Sequence, residues 1–422
     1  MTHHLPGLFL RPHCFEVPLD WSATEGERIE VFGREVVASH LAEKALPWLV
    51  FLQGGPGFAS PRPPNRGGWL RRATEEYRVL LLDQRGTGAS SPLSFRSFAG
   101  SSATEVARIL ECYRADSIVR DCESIRERLI GADTRWSLLG QSFGGFCCTH
   151  YLSVAPESLR EVYITGGLPP LNERCCDVYR RTYPQLRRKN EQYWQRFPED
   201  EARLRDLVQH LAGRELRLPT GDRLTPRRFR QIGLHLGMSD GADLIHYLLE
   251  EPWIDGEPSY TFLRNFENSL HYDTNPIFSV LHEACYTQGF ASRWAASRVK
   301  EEFPEFGDEA EGTPLLMGEM IEPWMFEEYR TLAPFAEAAH RLAEKEDWAR
   351  LYHPEVLAAN EIPVAAAIYA NDMYVDRGFS EQTASNIKGL RPWLTDEYEH
   401  NGLRADGGRV LGRLIDLVRG NA

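Results

Sequence analysis

The chain has 422 residues, of which 42% are hydrophobic and 26% are charged. This is the composition of a globular protein, and the length predicts either one large domain with an insertion or two domains. Its 61 acidic and 48 basic residues give a formal net charge of -13. An acidic protein of this kind is repelled by nucleic acids and by anionic membranes, so neither is expected as a partner.

The first residues and the cysteines favour a cytoplasmic protein. The start of the chain lacks the basic stretch and long apolar core of a signal peptide, and no apolar run approaches the roughly 20 residues of a membrane span. None of the eight cysteines forms a C-x-x-C pair, and two pairs are adjacent in sequence: Cys14, Cys112, Cys122, Cys147, Cys148, Cys175, Cys176 and Cys285. This spacing argues against a zinc site or a disulfide framework, and reduced thiols are expected.

Short apolar runs that stop at glycine-rich loops recur through the first 170 residues. A strand entry at 15–20 and a strand at 29–38 are followed by apolar runs at 48–52 and 77–82. Continuous apolar runs of this length are typical of strands buried on both faces of a sheet. Residues 115 to 131 then show apolar positions at the spacing of an amphipathic helix.

The next segment, WSLLGQSFGG at 136–145, contains the pattern G-x-S-x-G around Ser142. A nucleophilic serine of this type lies on a sharp strand-to-helix turn, where Gly140 and Gly144 remove side chains that would clash. We expect the following helix to cover 146–154, with Cys147 and Cys148 as small core residues. On its own the pattern is weak evidence, since glycine-rich chains show it by chance.

The pattern of predicted elements changes near residue 171. A strand at 162–165 continues the alternation of strands and helices, which predicts an α/β fold with a parallel sheet covered by helices on both faces. Residues 171–345 are expected to be mostly helical, including 180–196 and 334–350. The sheet pattern returns with strands at 362–369 and 391–397, and an amphipathic helix at 407–419 closes the chain.

A serine nucleophile needs a base and an acid, which in hydrolases of this order follow as Asp or Glu and then His. Asp372 comes directly after the strand at 362–369, and His400 follows the strand at 391–397. Both are expected in loops at strand ends. Asp376 is the alternative acid, and His353 is the alternative base, although it precedes the acid.

Two further loops follow apolar strands. Gly54-Gly55-Pro56-Gly57 comes after the strand at 48–52, where hydrolases of this kind supply an oxyanion donor. The backbone N–H groups of Gly55 and Phe143 are therefore the candidate oxyanion hole. In Asp83-Gln84-Arg85-Gly86, a structural pair between Asp83 and Arg85 is expected to hold the loop.

With these motifs the chain resembles the proline iminopeptidases, which are serine peptidases of the α/β-hydrolase fold. Residues 53–57, QGGPG, resemble the H-G-G-P-G loop of the family, and residues 83–88, DQRGTG, match its D-Q-R-G-x-G element. The nucleophile turn, the acid and the base come in the family's order. Two departures are Gln53 in place of histidine and Phe143 in place of a common tryptophan, and neither removes a backbone N–H.

The resemblance implies a catalytic domain of residues 1–170 and 346–422 and a helical cap of residues 171–345. It also implies cap glutamates that bind the free amino group of the substrate, here Glu283 and Glu319, with Glu322 a weaker rival. Aromatic cap residues, with Tyr286 and Trp324 foremost and Phe326 beside them, are expected around a proline ring. The implied activity is release of N-terminal proline from small peptides through an acyl-enzyme, without cofactor or metal.

Alternatives remain open at this point. The same machinery suits an esterase, an amidase or an aminopeptidase of broader specificity. Dehalogenase and epoxide-hydrolase chemistry is disfavoured, because those relatives carry Asp at the position of Ser142. A binding protein with a hydrolase fold but no activity is a third hypothesis, and the retention of Ser142, Asp372 and His400 argues against it.

Overall fold

The computed structural model describes residues 3–308 and 312–421, and a nine-stranded sheet forms its centre. The strands, in chain order, are β1 (His3–Leu5), β2 (Leu8–Pro18), β3 (Arg28–Ala38), β4 (Trp48–Leu52), β5 (Arg78–Leu82), β6 (Trp136–Gln141), β7 (Leu159–Thr165), β8 (Leu216–Arg217), β9 (Arg223–Leu224), β10 (Trp253–Ile254), β11 (Glu257–Pro258), β12 (Val364–Tyr369) and β13 (Leu390–Thr395). The central sheet has the order β1-β2-β3-β5-β4-β6-β7-β12-β13.

Most of this sheet is parallel. Strands β5, β4, β6, β7, β12 and β13 all run in one direction, and the antiparallel strands β3, β2 and β1 extend one edge. Parallel neighbours put their carboxyl ends at the same edge of the sheet. The loops that follow β4, β6, β12 and β13 therefore meet there, which is where ligands bind in open α/β sheets.

Helices cover both faces of the sheet and also form most of the segment between β7 and β12. They are α1 (Gly68–Ala73), α2 (Ala103–Glu111), α3 (Ala115–Ile130), α4 (Phe143–Val154), α5 (Cys175–Arg196), α6 (Glu199–Ala212), α7 (Pro226–Arg230), α8 (Gly241–Glu250), α9 (Tyr260–Ser269), α10 (Pro276–Leu281), α11 (Ala295–Lys300), α12 (Met325–Glu328), α13 (Ala336–Glu344), α14 (Pro354–Ala358), α15 (Arg377–Asn386), α16 (Gly402–Ala405) and α17 (Gly407–Arg419).

Alternate residues of each central strand enter two different cores. In β4, Val50 and Leu52 pack into the core that contains α3 and α4, whereas Leu49 and Phe51 pack into the core that contains α1 and α17. This alternation explains the unbroken apolar runs, because both faces of the strand exclude water. The prediction of an α/β fold with a mostly parallel sheet and helices on both faces is confirmed.

The segment between β7 and β12 is largely helical, as expected, but it also holds two short hairpins. Strands β8 and β9 form one, and β10 and β11 form the other. The second hairpin turns at Asp255 and Gly256, which both have positive φ, and Asp-Gly is a favoured two-residue hairpin turn. The division of the chain into a catalytic domain and a cap stays a prediction.

Several element boundaries differ from those predicted. Strand β2 begins at Leu8 and pairs with β3 along its whole length, although only its end was predicted. Helix α4 begins at Phe143, three residues earlier than expected, since the nucleophile turn leads straight into it. The helix expected over 334–350 covers only Ala336–Glu344.

Two further sequence expectations concern membranes and thiols. Within residues 3–308 and 312–421, no helix combines the length and the hydropathy that a membrane span needs. All eight cysteines lie in the described part of the chain and are free thiols. Cys147 and Cys148 are fully buried in α4, which confirms their assignment to the core.

Candidate active site

Ser142 lies on the turn between β6 and α4. Its backbone has φ of 55° and ψ of -127°, a conformation that L-residues adopt only under strain. The strain is maintained by the surroundings, because Ser142 N donates to Thr165 O at 2.9 Å and Ser142 O accepts from Gly145 N at 2.7 Å. The side chain is partly exposed at the carboxyl edge of the sheet.

The glycines around Ser142 allow α4 to lie against the sheet. A Cβ on Gly144 would come within 1.9 Å of Leu52 O, and one on Gly140 within 2.4 Å of Gly144 O. Each contact is with backbone and cannot be relieved by rotating a side chain. Glycine is thus required sterically at both glycine positions of the G-x-S-x-G pattern.

Asp372 and His400 are joined by a hydrogen bond. His400 Nδ1 lies 2.7 Å from Asp372 Oδ2, and Asp372 Oδ1 accepts from the backbone N–H groups of Tyr374 at 2.9 Å and Val375 at 3.1 Å. The carboxylate is therefore fixed by its own loop, and a carboxylate bound to Nδ1 holds the imidazole with its other nitrogen, Nε2, available.

The alternative acid and base lie elsewhere. Asp376 caps α15, where its Oδ1 accepts from Phe379 N at 2.9 Å. His353 is at the start of α14 beside Glu355, with 3.4 Å between Nδ1 and the carboxylate. The structure therefore brings Asp372, and not Asp376, to His400.

His400 lies against Gly166, the residue that follows β7. Its Nδ1 lies 3.2 Å from the position that a Cβ would take on Gly166, and Gly166 follows the Thr165 carbonyl that binds Ser142 N. Among the hydrogen bonds of the described residues, none joins the side chains of Ser142 and His400. Catalytic contacts of this kind are often long before substrate binds.

The charge state of His400 is set by two opposed effects. Burial lowers the pKa of His400, but the Asp372 carboxylate and the nearby Glu319 and Glu399 raise it by more. The net result is a pKa above the ordinary histidine value. An imidazole of this kind is a base near neutral pH, and its protonated form is stabilised during proton transfer.

Backbone donors face the same region from both sides of Ser142. A Cβ on Gly54 would come within 2.7 Å of Ser142 Cβ, so the turn formed by Gly54 and Gly55 lies directly against the serine. Phe143 is the first residue of α4, and the N–H of a first helical residue has no acceptor within its helix. This arrangement is compatible with the predicted oxyanion donors.

A small cavity adjoins the Asp372–His400 pair. It encloses about 220 Å³, counting space open to solvent, and is lined by Val178, Tyr179, Thr182, His282, Tyr286, Glu319, Met320, Met373 and Tyr374. The Tyr374 ring stands edge-on to the His400 imidazole at 4.8 Å. One wall of the cavity, the Tyr374 ring, is therefore in contact with the imidazole of the acid–base pair.

Glu319 contributes the carboxylate of this cavity. Burial raises the pKa of Glu319 to about 8, and its side chain is 21% exposed. His282 Nε2 lies 3.9 Å from Glu319 Oε2, while burial lowers the pKa of His282 to about 4. His282 is therefore neutral, and among the described residues no Lys or Arg forms an ion pair with Glu319.

Glu283 lies outside this cavity, and its carboxylate is already occupied. Its two oxygens accept from the backbone N–H groups of Ala295 at 3.1 Å and Ala296 at 2.8 Å, at the start of α11. Negative charge at a helix N-terminus is stabilising. Glu283 therefore has the geometry of a helix cap, and its expected role in substrate binding stays a prediction that this geometry does not favour.

The other predicted cap residues are also separated. Tyr286 lines the cavity. Trp324 does not, because its indole packs under the Arg227 guanidinium at 4.7 Å, and Phe326 packs beside Trp294. Glu322 binds Lys300 Nζ within the region 171–345. One aromatic residue and one glutamate of the predicted set thus remain at the candidate site.

The expected pair between Asp83 and Arg85 is wrong. Arg85 binds both oxygens of Asp121 on α3, at 2.7 and 2.6 Å, and Asp83 binds Arg62. Arg85 also donates to the carbonyl of Leu19. The loop is held by partners distant in sequence, which spacing within the motif does not reveal.

Glu199, Asp200 and His246 are the group within the described residues whose spacing would suit a metal ion. Asp200 is engaged, because its oxygens bind Arg203, Tyr193 and His246. The cluster is therefore explained by hydrogen bonds and ion pairs that join α6 to α8.

Sequence reasoning missed several residues of the cavity. The hydroxyl of Tyr179 and Nδ1 of His282 are buried and have no partner within the described chain, which leaves them available to a ligand. Tyr374 could have been inferred from its place in the Asp372 loop. Tyr179 carries no signal in the sequence, because it is one of several tyrosines on a long helix.

Comparison with known proteins agrees with this geometry. Residues 47–403 match the model of the alpha/beta hydrolase fold family. A proline iminopeptidase of Aeromonas sobria is 48% identical over 98% of this chain and 98% of the relative. The chain belongs to the proline iminopeptidase family. The resemblance inferred from the motifs is thereby confirmed.

Other family members are more distant. A proline iminopeptidase named aneH, from Aspergillus aculeatus, is 35% identical over 96% of this chain and 92% of the relative. The crystal structure of a proline iminopeptidase from Mycobacterium smegmatis has 13% identity and a TM-score of 0.48, covering 97% of this chain and 98% of that chain.

Proposed function

We propose that the protein is a serine aminopeptidase that releases proline from the N-terminus of small peptides. The observation that carries the proposal is the Glu319 carboxylate, which lines a cavity beside the hydrogen-bonded pair Asp372–His400. The family relationship supports the same activity, since its relatives carry the name proline iminopeptidase. The proposal assigns substrate selection to the segment 171–345, acting as a cap.

In this proposal Ser142 is the nucleophile. Its Oγ attacks the carbonyl carbon of the N-terminal residue, and His400 Nε2 accepts the hydroxyl proton. Asp372 keeps the imidazole oriented and stabilises its protonated form. The N–H groups of Gly55 and Phe143 bind the carbonyl oxygen as it becomes an alkoxide.

The intermediate then collapses to an acyl-enzyme. The C–N bond breaks, His400 gives its proton to the leaving amine, and the shortened peptide departs. Water attacks the ester carbonyl with His400 again as the base, which frees proline and restores Ser142. No cofactor or metal enters these steps.

Selection of a free N-terminus follows from Glu319. A protonated proline nitrogen carries two N–H groups, so the carboxylate and one further acceptor, such as the Tyr179 hydroxyl, satisfy it. A blocked or internal nitrogen leaves the buried carboxylate unpaired, which is costly. The rings of Tyr179, Tyr286 and Tyr374 supply apolar walls for a pyrrolidine ring.

The test is initial-rate hydrolysis of matched substrates by the wild-type chain and by Ser142→Ala. The panel contains proline-, alanine- and leucine-naphthylamide, N-blocked proline-naphthylamide and a nitrophenyl ester. The proposal expects strong preference for unblocked proline and loss of activity in Ser142→Ala. Equal turnover of the blocked substrate, or cleavage of the ester alone, would favour an esterase or amidase instead.

A further inference from the structure

The loops that carry Asp372 and His400 are each bound by two segments of the region 171–345. One segment is α5, and the other is the 3₁₀ helix Gln231–Gly237. On α5, Gln185 Nε2 donates to Asn371 O at 2.9 Å, next to Asp372. One turn further along the same helix face, Lys189 Nζ donates to Glu399 Oε1 at 2.5 Å, next to His400.

The 3₁₀ helix repeats this pattern. Its Leu234 carbonyl accepts from the Tyr374 hydroxyl, and its Gly237 carbonyl accepts from His400 N at 3.1 Å. A Cβ on Gly237 would come within 2.3 Å of the Tyr374 ring, so the contact is tight. Each segment therefore binds the loop of Asp372 and the loop of His400 together.

Among these contacts of α5 and the 3₁₀ helix with the two loops, the one between Lys189 and Glu399 is an ion pair. The Lys189 side chain is 5% exposed, and that of Glu399 is 27% exposed. Within the described chain, Glu399 Oε2 is buried without a partner. A buried ion pair contributes little net stability, because desolvation offsets its attraction, but removing one member leaves the other uncompensated.

We propose that Lys189 and Glu399 are positioning residues that register α5 on the His400 loop and so hold the imidazole in line with Ser142. This inference rests on the proposed role of His400 as the general base. Because the substrate cavity is lined by Tyr179 and Thr182 of the same helix, the pair also joins the substrate-binding helix to the proton-transfer group. A shift of α5 is then transmitted directly to His400.

The experiment is a double-mutant cycle on the full chain with Lys189→Met, Glu399→Gln and the double variant, plus Lys189→Arg as the conservative replacement. We expect each single variant to lower kcat about ten- to a hundredfold, the cost of a misplaced catalytic group, with KM within about twofold. The double variant falls no further, and Lys189→Arg recovers most of the loss.

Two controls separate positioning from general damage. Lys300→Met breaks the ion pair with Glu322, which lies within the region 171–345 and contacts neither loop, and is expected to keep wild-type kcat. In Glu399→Gln the acid limb of kcat moves to lower pH, since a carboxylate that raises the His400 pKa is lost while Asp372 and Glu319 remain.

Three results would overturn the inference. The first is wild-type kcat in a folded Lys189→Met or Glu399→Gln, and the second is a loss of kcat equal to that of Lys300→Met. The third is additive losses of kcat in the double variant. If Lys189→Met does not fold, the near-isosteric Glu399→Gln carries the test. The cycle uses whichever substrate the wild type cleaves, and the rate of Ser142 labelling by a fluorophosphonate provides a second readout. If the wild type cleaves the ester but releases no proline, the proposed specificity is refuted. The effect of the Lys189–Glu399 pair on kcat can still be measured with the ester.

Discussion

At the scale of single residues, Glu283 and Glu319 show how surroundings decide the role of a carboxylate. Burial raises the pKa of Glu283, and N–H groups at the start of α11 offset part of that effect. Burial also raises the pKa of Glu319, but no backbone donor reaches it among the described residues, and it faces the cavity. The geometry therefore favours the second glutamate as the one that binds a ligand cation.

Replacing Glu319 tests this difference. Glu319→Gln is expected to raise KM for proline-naphthylamide ten- to a hundredfold, since a hydrogen bond to a charged group contributes about 1.5–3 kcal/mol. The matched control is Glu283→Gln, which loses part of a helix cap. It should lower the melting temperature and leave KM within about twofold. A larger KM effect in Glu283→Gln would contradict the assignment.

The same residue determines a pH dependence. Because the pKa of Glu319 is about 8, its carboxyl is mainly protonated below that pH and must lose a proton to pair with an ammonium group. KM for unblocked substrate should therefore rise as the pH falls below about 8. In Glu319→Gln this dependence should be absent, and measuring KM from pH 6 to 9 for both proteins checks it.

Asp372 and Asp376 form a second matched pair. Asp372→Asn keeps the shape of the loop but favours the wrong imidazole tautomer, so kcat should fall about 10⁴-fold. Asp376→Asn retains an N-cap acceptor and should keep wild-type kcat with little change in stability. Measuring kcat and the melting temperature of both variants shows which aspartate orients His400. Comparable kcat values would exclude Asp372 as the orienting acid.

Sequence reasoning succeeded where local order carries the information and failed where partners are distant. Ser142, Asp372 and His400 follow one another at strand ends, and this order favoured Asp372 and His400, which the structure joins by a hydrogen bond. Arg85 was given the wrong partner because Asp121 lies on another element. Glu283 was assigned to substrate because nothing in the sequence shows that α11 begins beside it.

At the scale of elements, the approach of α4 to the sheet determines the position of Ser142. Apolar runs and glycine-rich ends were enough to predict the bounds of β4, β5 and β12 to within two residues. The short hairpins were missed because a two-residue strand has no periodicity, although Asp255-Gly256 marked one turn. The contacts of Gly144 show why α4 had to begin at once after Ser142.

Gly144→Ala should therefore lower the free energy of unfolding. Its Cβ would come within 1.9 Å of Leu52 O, and overpacking usually costs about 1–3 kcal/mol or more. The control is Gly412→Ala in α17, where a Cβ meets only the Arg72 side chain at 3.9 Å. That change should stabilise the protein by about 1 kcal/mol. Urea unfolding of both variants measures the difference, and equal effects would contradict the steric argument.

At the scale of the whole molecule, one hydrophobic core runs from the sheet into the region 171–345. It contains Leu138 and Ile164 of the sheet together with Leu207 and Phe262 of the inserted helices. Chains of this length usually divide into separately folded domains. The shared core, and the ties from α5 to the acid and base loops, favour joint unfolding instead.

We therefore expect one unfolding transition, with the same urea midpoint for amides of β6 and of α6 in hydrogen exchange measured by mass spectrometry. Arg114 supplies the diagnostic variant, because its buried guanidinium donates to the carbonyl of Thr287 across this boundary. Arg114→Met should lower both midpoints together, by about 1–3 kcal/mol in unfolding free energy. If α6 melts in Arg114→Met while β6 keeps its wild-type midpoint, the two regions fold independently. The coupling of the 171–345 helices to His400 would then act only in the native state, since neither region would need the other to fold.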